Sequence, residues 1–104
     1  MPTYITLIRY TKQGVKTFKE LSQRIEETKT AGEPVGAKLV GYYLTMGQYD
    51  AVAITEAPDD ATIATLALAA GARGSVRTET MRAFTEEEAI EIAAALSGSL
   101  RVAR

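Results

Sequence analysis

Hydrophobic positions along the chain change period several times, and each change marks the start of a new element. Residues 3–10, TYITLIRY, are rich in β-branched and aromatic side chains and predict a strand. Residues 12–31 then change to helical spacing, with Thr11 as a candidate N-cap and Gly32 as the C-terminal stop. One stripe of this predicted helix is apolar and consists of Val15, Phe18, Leu21 and Ile25. The chain therefore opens with a strand followed by an amphipathic helix.

A hairpin occupies the middle of the chain. Residues 37–45 and 50–56 predict a second and a third strand, separated by the short polar hinge GQYD at 47–50. A hinge this short joins neighbouring antiparallel strands. Gly47 supplies a residue that adopts positive φ at no steric cost, as a tight turn requires.

The second half of the chain repeats the helix and the strand. A helix begins at Pro58, where Asp59 and Asp60 complement the positive end of the helix dipole, and Gly71 and Gly74 end it. Residues 75–83, SVRTETMRA, alternate between two faces and predict a fourth strand.

A further helix follows the fourth strand. Thr85 and Glu88 have the spacing of a capping box, in which each side chain accepts a hydrogen bond from the other residue's backbone amide. Capping and the helix dipole explain the acidic run at 86–88 more simply than a metal site does. We expect the helix to close at Gly98 and the tail after it to be loosely held.

The order of elements predicts the fold. A strand, a helix, two strands, a helix and a strand give an α+β, ferredoxin-like βαββαβ arrangement with an antiparallel sheet in the order 4-1-3-2, plus a C-terminal helix. Both main helices cover one face of that sheet and leave the other face bare. Because the bare face carries many apolar residues, we expect a second copy to cover it. The predicted assembly is a homodimer of the dimeric α/β-barrel type.

Composition excludes several classes of function. The 104 residues make one domain, 1–104, with a net charge of −1, no cysteine and no histidine. We therefore expect no metal, no cofactor, no nucleic acid and no membrane as partners, and a cytoplasmic location. Tyr42 and Tyr43 point to opposite faces of their strand, so they do not form a platform for stacking RNA bases.

Three blocks of the sequence resemble the GYD-domain family. They are MPTYITLIRYTKQGVKTF at the start, YYLTMGQYDAVAITEAPDD around the hinge and VRTETMRAFTEEE at 76–88. The resemblance covers about residues 2–97 and implies the dimeric α/β-barrel form of the ferredoxin-like fold. It brings no catalytic residue to this chain. Related barrels include cofactor-independent monooxygenases, muconolactone-isomerase-like proteins and haem-dependent enzymes, and the lack of histidine argues against the haem branch.

Topology brings several polar side chains to the hinge end of the predicted sheet. The candidate ligand-binding residues are Arg9, Tyr49, Asp50, Arg77 and Glu79. In one interpretation they line a small-ligand pocket, with Asp50 paired to Arg9 or Arg77. In the other they are structural, because Asp50 binds the turn backbone and Tyr49 covers a sheet edge. Glu79 makes a structural ion pair in this second interpretation and takes part in acid–base chemistry in the first.

Two functions remain open at this point. The first is a dimeric protein that binds a small organic ligand in a sheet-associated cavity, with cofactor-free enzyme activity on an organic acid or an aromatic compound as its extension. The alternative is a non-enzymatic oligomeric assembly or regulatory module, since the sequence has no nucleophile–base pair and no phosphate-binding loop. The sequence does not decide whether the protein is an enzyme.

Overall fold

A computed structural model describes the backbone of residues 1–103 and the side chains of residues 1–96. The strands are β1 (Thr3–Tyr10), β2 (Lys38–Leu44), β3 (Ala51–Glu56) and β4 (Val76–Ala83). The helices are α1 (Lys12–Lys16), α2 (Leu21–Gly32), α3 (Asp60–Ala72) and α4 (Glu86–Ala103), with short 3₁₀ turns at Phe18–Glu20 and Glu33–Val35.

The four strands form one antiparallel sheet in the order β2-β3-β1-β4, which confirms the predicted α+β, ferredoxin-like fold. In the centre of the sheet, Ile5 of β1 lies opposite Ile54 of β3 on one side and Met81 of β4 on the other. An irregularity in β2 between Leu39 and Gly41 inserts one extra residue. That bulge brings both Leu39 and Tyr42 to the helix-covered face.

The helices α2 and α3 lie over the face that carries the even-numbered residues of β1. Tyr4 is the largest fully buried side chain of the described residues, and it packs with Ala57 and Ile63 at one end of this layer. Its hydroxyl donates a hydrogen bond to Asp60 at the start of α3, with 2.5 Å between the oxygens. The opposite face carries Ile5 and Leu7 and has no helix of its own over it in the described part of the chain. We call it the open face.

The first helix departs from its prediction. Instead of one helix over 12–31, α1 ends at Lys16 and α2 begins only after a 3₁₀ turn. Thr17 donates its side-chain hydroxyl to the carbonyl oxygen of Gln13, 3.0 Å away, and adopts φ −107° and ψ 18°, outside the helical range. As a result Val15 is 64% exposed and leaves the predicted apolar stripe, whereas Phe18 packs edge-on against the ring of Tyr10.

The helix after the hairpin also begins later than predicted. Asp59 is its N-cap, with the carboxylate accepting from the backbone N–H of Thr62 at 2.8 Å, so Pro58 lies outside the helix. Of the two glycines predicted to end the helix, Gly74 adopts a positive φ of 82° just after its C-terminus, while Gly71 is still helical.

The last helix begins as predicted and continues further. Thr85 and Glu88 form the capping box. The Thr85 amide donates to the Glu88 carboxylate at 2.9 Å, and the Glu88 amide donates to the Thr85 hydroxyl at 3.2 Å. The prediction that Gly98 ends this helix is wrong, since α4 runs to Ala103. A single glycine costs a helix only about 1 kcal/mol relative to alanine, which weakens it without ending it.

The molecule is elongated. Its principal extents are 58, 33 and 19 Å, and its radius of gyration of 16.6 Å exceeds the roughly 13 Å of a compact domain of this length. In agreement with this shape, α4 leaves Ile90 63%, Ile92 50% and Leu96 59% exposed. Within the described part of the chain, α4 and the other helices are too short or too polar to span a bilayer.

Candidate functional site

The hairpin loop positions Tyr49 at one end of the open face. Gly47 adopts a φ of 107°, which confirms the left-handed position predicted for the hinge. The Thr45 hydroxyl donates to the carbonyl oxygen of Tyr49 at 2.6 Å, and the Thr45 amide donates to the carbonyl oxygen of Asp50 at 2.8 Å. These bonds close the loop on itself and fix the direction in which the tyrosine leaves it.

Four of the five candidate residues come together on the open face, and we call Arg9, Tyr49, Arg77 and Glu79 the open-face cluster. The hydroxyl of Tyr49 donates to Glu79 at 2.8 Å. The guanidinium carbon of Arg9 lies 4.8 Å from the centre of the Tyr49 ring, which is a cation–π distance. Arg77 lies opposite Arg9 in the register of β1 and β4. With Leu7 and Thr78, the cluster lines a pocket of about 190 Å³.

The hydrogen bond to Glu79 raises the pKa of Tyr49 above its ordinary value, because a nearby carboxylate disfavours the phenolate. Arg9 opposes this effect but does not reverse it. Tyr49 is therefore a neutral donor at neutral pH and is not suited to act as a base. The cluster offers an aromatic surface, two guanidinium groups and one carboxylate, which are groups suited to recognition.

Asp50, the fifth candidate, has a different partner. Its carboxylate accepts the backbone N–H of Tyr10 at 2.8 Å, while its own amide donates to the carbonyl oxygen of Ile8 at 2.8 Å. The sequence interpretation paired this carboxylate with Arg9 or Arg77, and the structure instead places it on the end of β1. Asp50 thus has a structural position, but its carboxylate anchors the hairpin to β1 and does not bond the turn backbone as the structural interpretation expected.

A second cavity lies on the other side of the sheet and was not predicted. It has a volume of about 200 Å³ and lies between the sheet and the helices α2 and α3. The hydroxyls of Tyr10 and Tyr42 form a hydrogen bond in its wall, and Arg24 of α2 also lines it. The sequence signal was a set of threonines on the helix-covered face of the sheet: Thr6, Thr55, Thr78 and Thr80.

The acidic run at the start of α4 has a structural explanation. The backbone N–H of Thr85 donates to Glu88 and lowers the pKa of its carboxyl, and Arg82 adds a charge 3.9 Å away. Within the part of the chain that the structure describes, no cluster of acidic side chains has the arrangement needed to hold a metal ion.

The fold and the open-face cluster define an α+β protein of the ferredoxin-like class with one uncovered sheet face. Residues 4–93 match the family described as GYD domain, so the chain belongs to the GYD domain family and the resemblance seen in its three blocks is confirmed. A relative from Thermus thermophilus is named glutamine synthetase and cystathionine beta-lyase binding protein. It is 39% identical over 85 residues, which cover 81% of this chain and 90% of the relative. No solved structure matches the chain.

Proposed function

We propose that this protein is a non-enzymatic binding module that acts as a homodimer and associates with a metabolic enzyme of the kind named for its relative. The observation that supports the proposal is the name of the relative, glutamine synthetase and cystathionine beta-lyase binding protein. That relative is 39% identical to this chain and is matched over 90% of its own length. The chemistry supports it, because the open-face cluster contains recognition groups and the sequence has neither histidine nor cysteine. Glutamine synthetase and cystathionine β-lyase are accordingly the partners to test.

The open face is the surface for a second copy of the chain. Ile5 and Leu7 of β1 lie beside Ile54 and Val52 of β3, and together they form an apolar centre. Apolar side chains exposed further out extend this centre, with Tyr43 60% and Met81 44% exposed. Burying such a face removes apolar area from water, and a two-fold axis lets the same surface cover itself.

The open-face cluster lies beside this apolar centre, since Leu7 contributes to the cluster's pocket and to the centre. Tyrosine and arginine are enriched among the residues that dominate binding energy in protein interfaces. In the proposed dimer Tyr49 and Arg9 therefore contribute contacts across the interface.

The helix α4 is the surface proposed for the enzyme. Its large apolar side chains Ile90, Ile92 and Leu96 are 50–63% exposed, and Phe84 just before it is 54% exposed. An exposed apolar helix binds a partner by placing its side chains in a groove. If the open face is covered by a second copy, α4 still offers an exposed apolar surface to another protein.

Enzyme binding is tested with the purified glutamine synthetase and cystathionine β-lyase of the same source organism, by biolayer interferometry with this protein immobilised. We expect at least one of them to bind, Ile90→Asp to weaken that binding, and Glu87→Gln in the same helix to leave it unchanged. If neither enzyme binds at micromolar concentrations, the proposed function is wrong. If binding survives in Ile90→Asp, the enzyme uses a surface other than α4.

Dimerisation is tested by light scattering coupled to size-exclusion chromatography. We expect the wild type to have the mass of two chains and Leu7→Asp to have the mass of one, with circular dichroism showing that the variant is folded. Lys29→Asp, an exposed change on α2, is the matched control and stays dimeric. A stable monomeric wild type at micromolar concentration contradicts the dimer. Tyr43→Asp provides a second, peripheral variant if Leu7→Asp does not fold.

A further inference from the structure

The helix-covered face of the sheet is less filled than a protein core of ordinary density. Small side chains line its middle, including Ala53 on the sheet and Ala67 and Ala70 on α3. They leave a cavity of about 200 Å³ between the sheet and the two helices. An apolar cavity of about 150 Å³ is large enough to hold benzene. The space here therefore fits a molecule with one ring or a short branched chain.

The cavity wall combines apolar and hydroxyl-bearing side chains. Ile8, Ile63 and Leu66 contribute apolar surface, while Thr6 and Thr80 place hydroxyls 3.1 Å from each other across β1 and β4. Threonine at the centre of a core-facing strand gives up apolar packing that valine would provide. The hydroxyls supply directional groups to an otherwise apolar space, which is the usual composition of a small-molecule site.

The tyrosine pair provides a further polar position. Tyr10 and Tyr42 share a hydrogen bond between their hydroxyls and both line the cavity. Burial, together with the hydrogen bond that it shares with Tyr10, raises the pKa of Tyr42 above its ordinary value. Tyr42 is therefore a neutral hydroxyl at neutral pH. Because the bond between the two hydroxyls uses one of their two protons, one hydroxyl of the pair is left to donate to an oxygen of a bound molecule.

The charged groups of the wall have one sign. Among residues 1–96, Arg24 and Arg73 line the cavity and no carboxylate does. Each arginine has a glutamate neighbour outside the wall. A guanidinium nitrogen of Arg24 lies 3.9 Å from a carboxylate oxygen of Glu20, and one of Arg73 lies 3.6 Å from a carboxylate oxygen of Glu27. These carboxylates are 54% and 49% exposed, so their attraction for the arginines is weakened by solvent. An anionic group entering the cavity is thus able to replace either of them.

From these observations we infer that the cavity binds a small carboxylic acid whose body is one aromatic ring or a short branched alkyl chain. The apolar wall holds the body, and Arg24 binds the carboxylate. This site is on the opposite side of the sheet from the open face and does not depend on the enzyme-binding proposal.

Isothermal titration calorimetry with benzoate, phenylacetate and 3-methylbutanoate tests the inference. Benzamide and benzyl alcohol serve as uncharged probes of matched size. We expect at least one acid to bind and to raise the midpoint of thermal unfolding, with its uncharged analogue about tenfold weaker or more because it lacks the charge-assisted hydrogen bond. If no acid binds, or if the uncharged probes bind as tightly, the inference is wrong.

Variants locate the site. Arg24→Gln should weaken the acid about tenfold or more, and Lys29→Gln on the same helix should not, since Lys29 pairs with Glu26 away from the cavity. Ala67→Leu and, separately, Ala53→Leu fill the space and should abolish binding. Two filling variants are used so that one misfolded protein does not decide the result. Undiminished binding in a folded filling variant would place the acid elsewhere and overturn the inference.

Discussion

Tyr49 in the β2–β3 hairpin donates a hydrogen bond to Glu79 in β4, 2.8 Å away, although β1 separates β3 from β4 in the sheet. The tyrosine reaches across the end of β1, where Arg9 lies against its ring. One aromatic side chain therefore connects the hairpin to both β1 and β4 on the open face. This arrangement ties the hairpin loop to two strands of the sheet besides its own flanking strands.

Replacing Glu79 with glutamine should lower the pKa of Tyr49 toward its ordinary value. In the wild type the Glu79 carboxylate raises that pKa in two ways, because it accepts a hydrogen bond from the phenol and because its negative charge disfavours the phenolate. Glutamine removes the charge. Alkaline titration followed by tyrosinate absorbance measures the change, with Tyr49→Phe subtracted to isolate this residue. Glu87→Gln on α4 is the control and should leave the titration unchanged. An unaltered Tyr49 curve in Glu79→Gln would contradict the hydrogen bond.

The same shift predicts how stability depends on pH. A tyrosine with a raised folded-state pKa contributes stability that is complete below its unfolded pKa of about 10 and is lost as pH rises through the folded value. The difference in unfolding free energy between wild type and Glu79→Gln should therefore be constant near neutral pH and shrink above about pH 10. Urea denaturation at several alkaline pH values measures it.

Removing the side chain of Asp50 should destabilise the fold. Its carboxylate is the acceptor for the Tyr10 backbone amide, and a hydrogen bond to a charged group contributes about 1.5–3 kcal/mol. We expect Asp50→Ala to lose an amount in that range in urea denaturation. Asp50→Asn should lose less because an amide oxygen still accepts. Gln48→Ala, an exposed change in the same loop, should lie within about 0.5 kcal/mol of wild type.

Two glycine-to-alanine substitutions should change the free energy of unfolding in opposite directions. A Cβ on Gly14 would lie 2.1 Å from the carbonyl oxygen of Ser75, which also accepts the backbone N–H of Thr11 at 3.0 Å. Gly14→Ala must displace that carbonyl and should cost about 1–3 kcal/mol. A Cβ on Gly71 in α3 meets nothing within 4 Å, so Gly71→Ala should stabilise by up to about 1 kcal/mol. Equal effects of the two variants in urea denaturation would contradict this packing.

The sheet and much of the open-face cluster follow from sequence patterns. Alternation along β1 and β4 places Arg9, Arg77 and Glu79 on one face, and the short hinge places Tyr49 at the same end. The sheet and the placement of these residues follow from the sequence because strand periodicity and hairpin connection are local properties with few alternatives. The partner of Asp50 did not follow, since side-chain types do not reveal which carboxylate will accept a backbone amide.

The helix break and the cavity were missed for physical reasons as well. Thr17 occupies a position that fits a helical pattern, and its backbone dihedrals, φ −107° and ψ 18°, mark the interruption. Threonine has a high strand propensity, so Thr6 and Thr80 fit a strand equally well on a solvent-exposed face or on a face covered by helices. Whether such a face is packed or hollow depends on the small residues opposite it, which come from α3 and lie far away in the chain.

The N-cap of α3 gives the last prediction, a dependence of stability on acid. Asp59 accepts hydrogen bonds from the hydroxyl and the backbone N–H of Thr62, and these bonds lower the pKa of its carboxyl. A depressed folded-state pKa contributes stability that is present above the unfolded value of about 4 and is lost as pH falls through the folded value. Asp59→Ala should therefore be less stable than wild type at neutral pH, and the gap should narrow below about pH 4.

Urea denaturation of both proteins at neutral pH and at several acidic values measures that gap. Glu88 also titrates with a lowered pKa, but it is present in both proteins and cancels in the difference. Asp59→Asn is the informative control, because its amide oxygen still caps the helix while its charge does not change with pH. Asn at this position should retain most of the stability at neutral pH. A gap between wild type and Asp59→Ala that is independent of pH would show that the ionised carboxylate is not what caps α3.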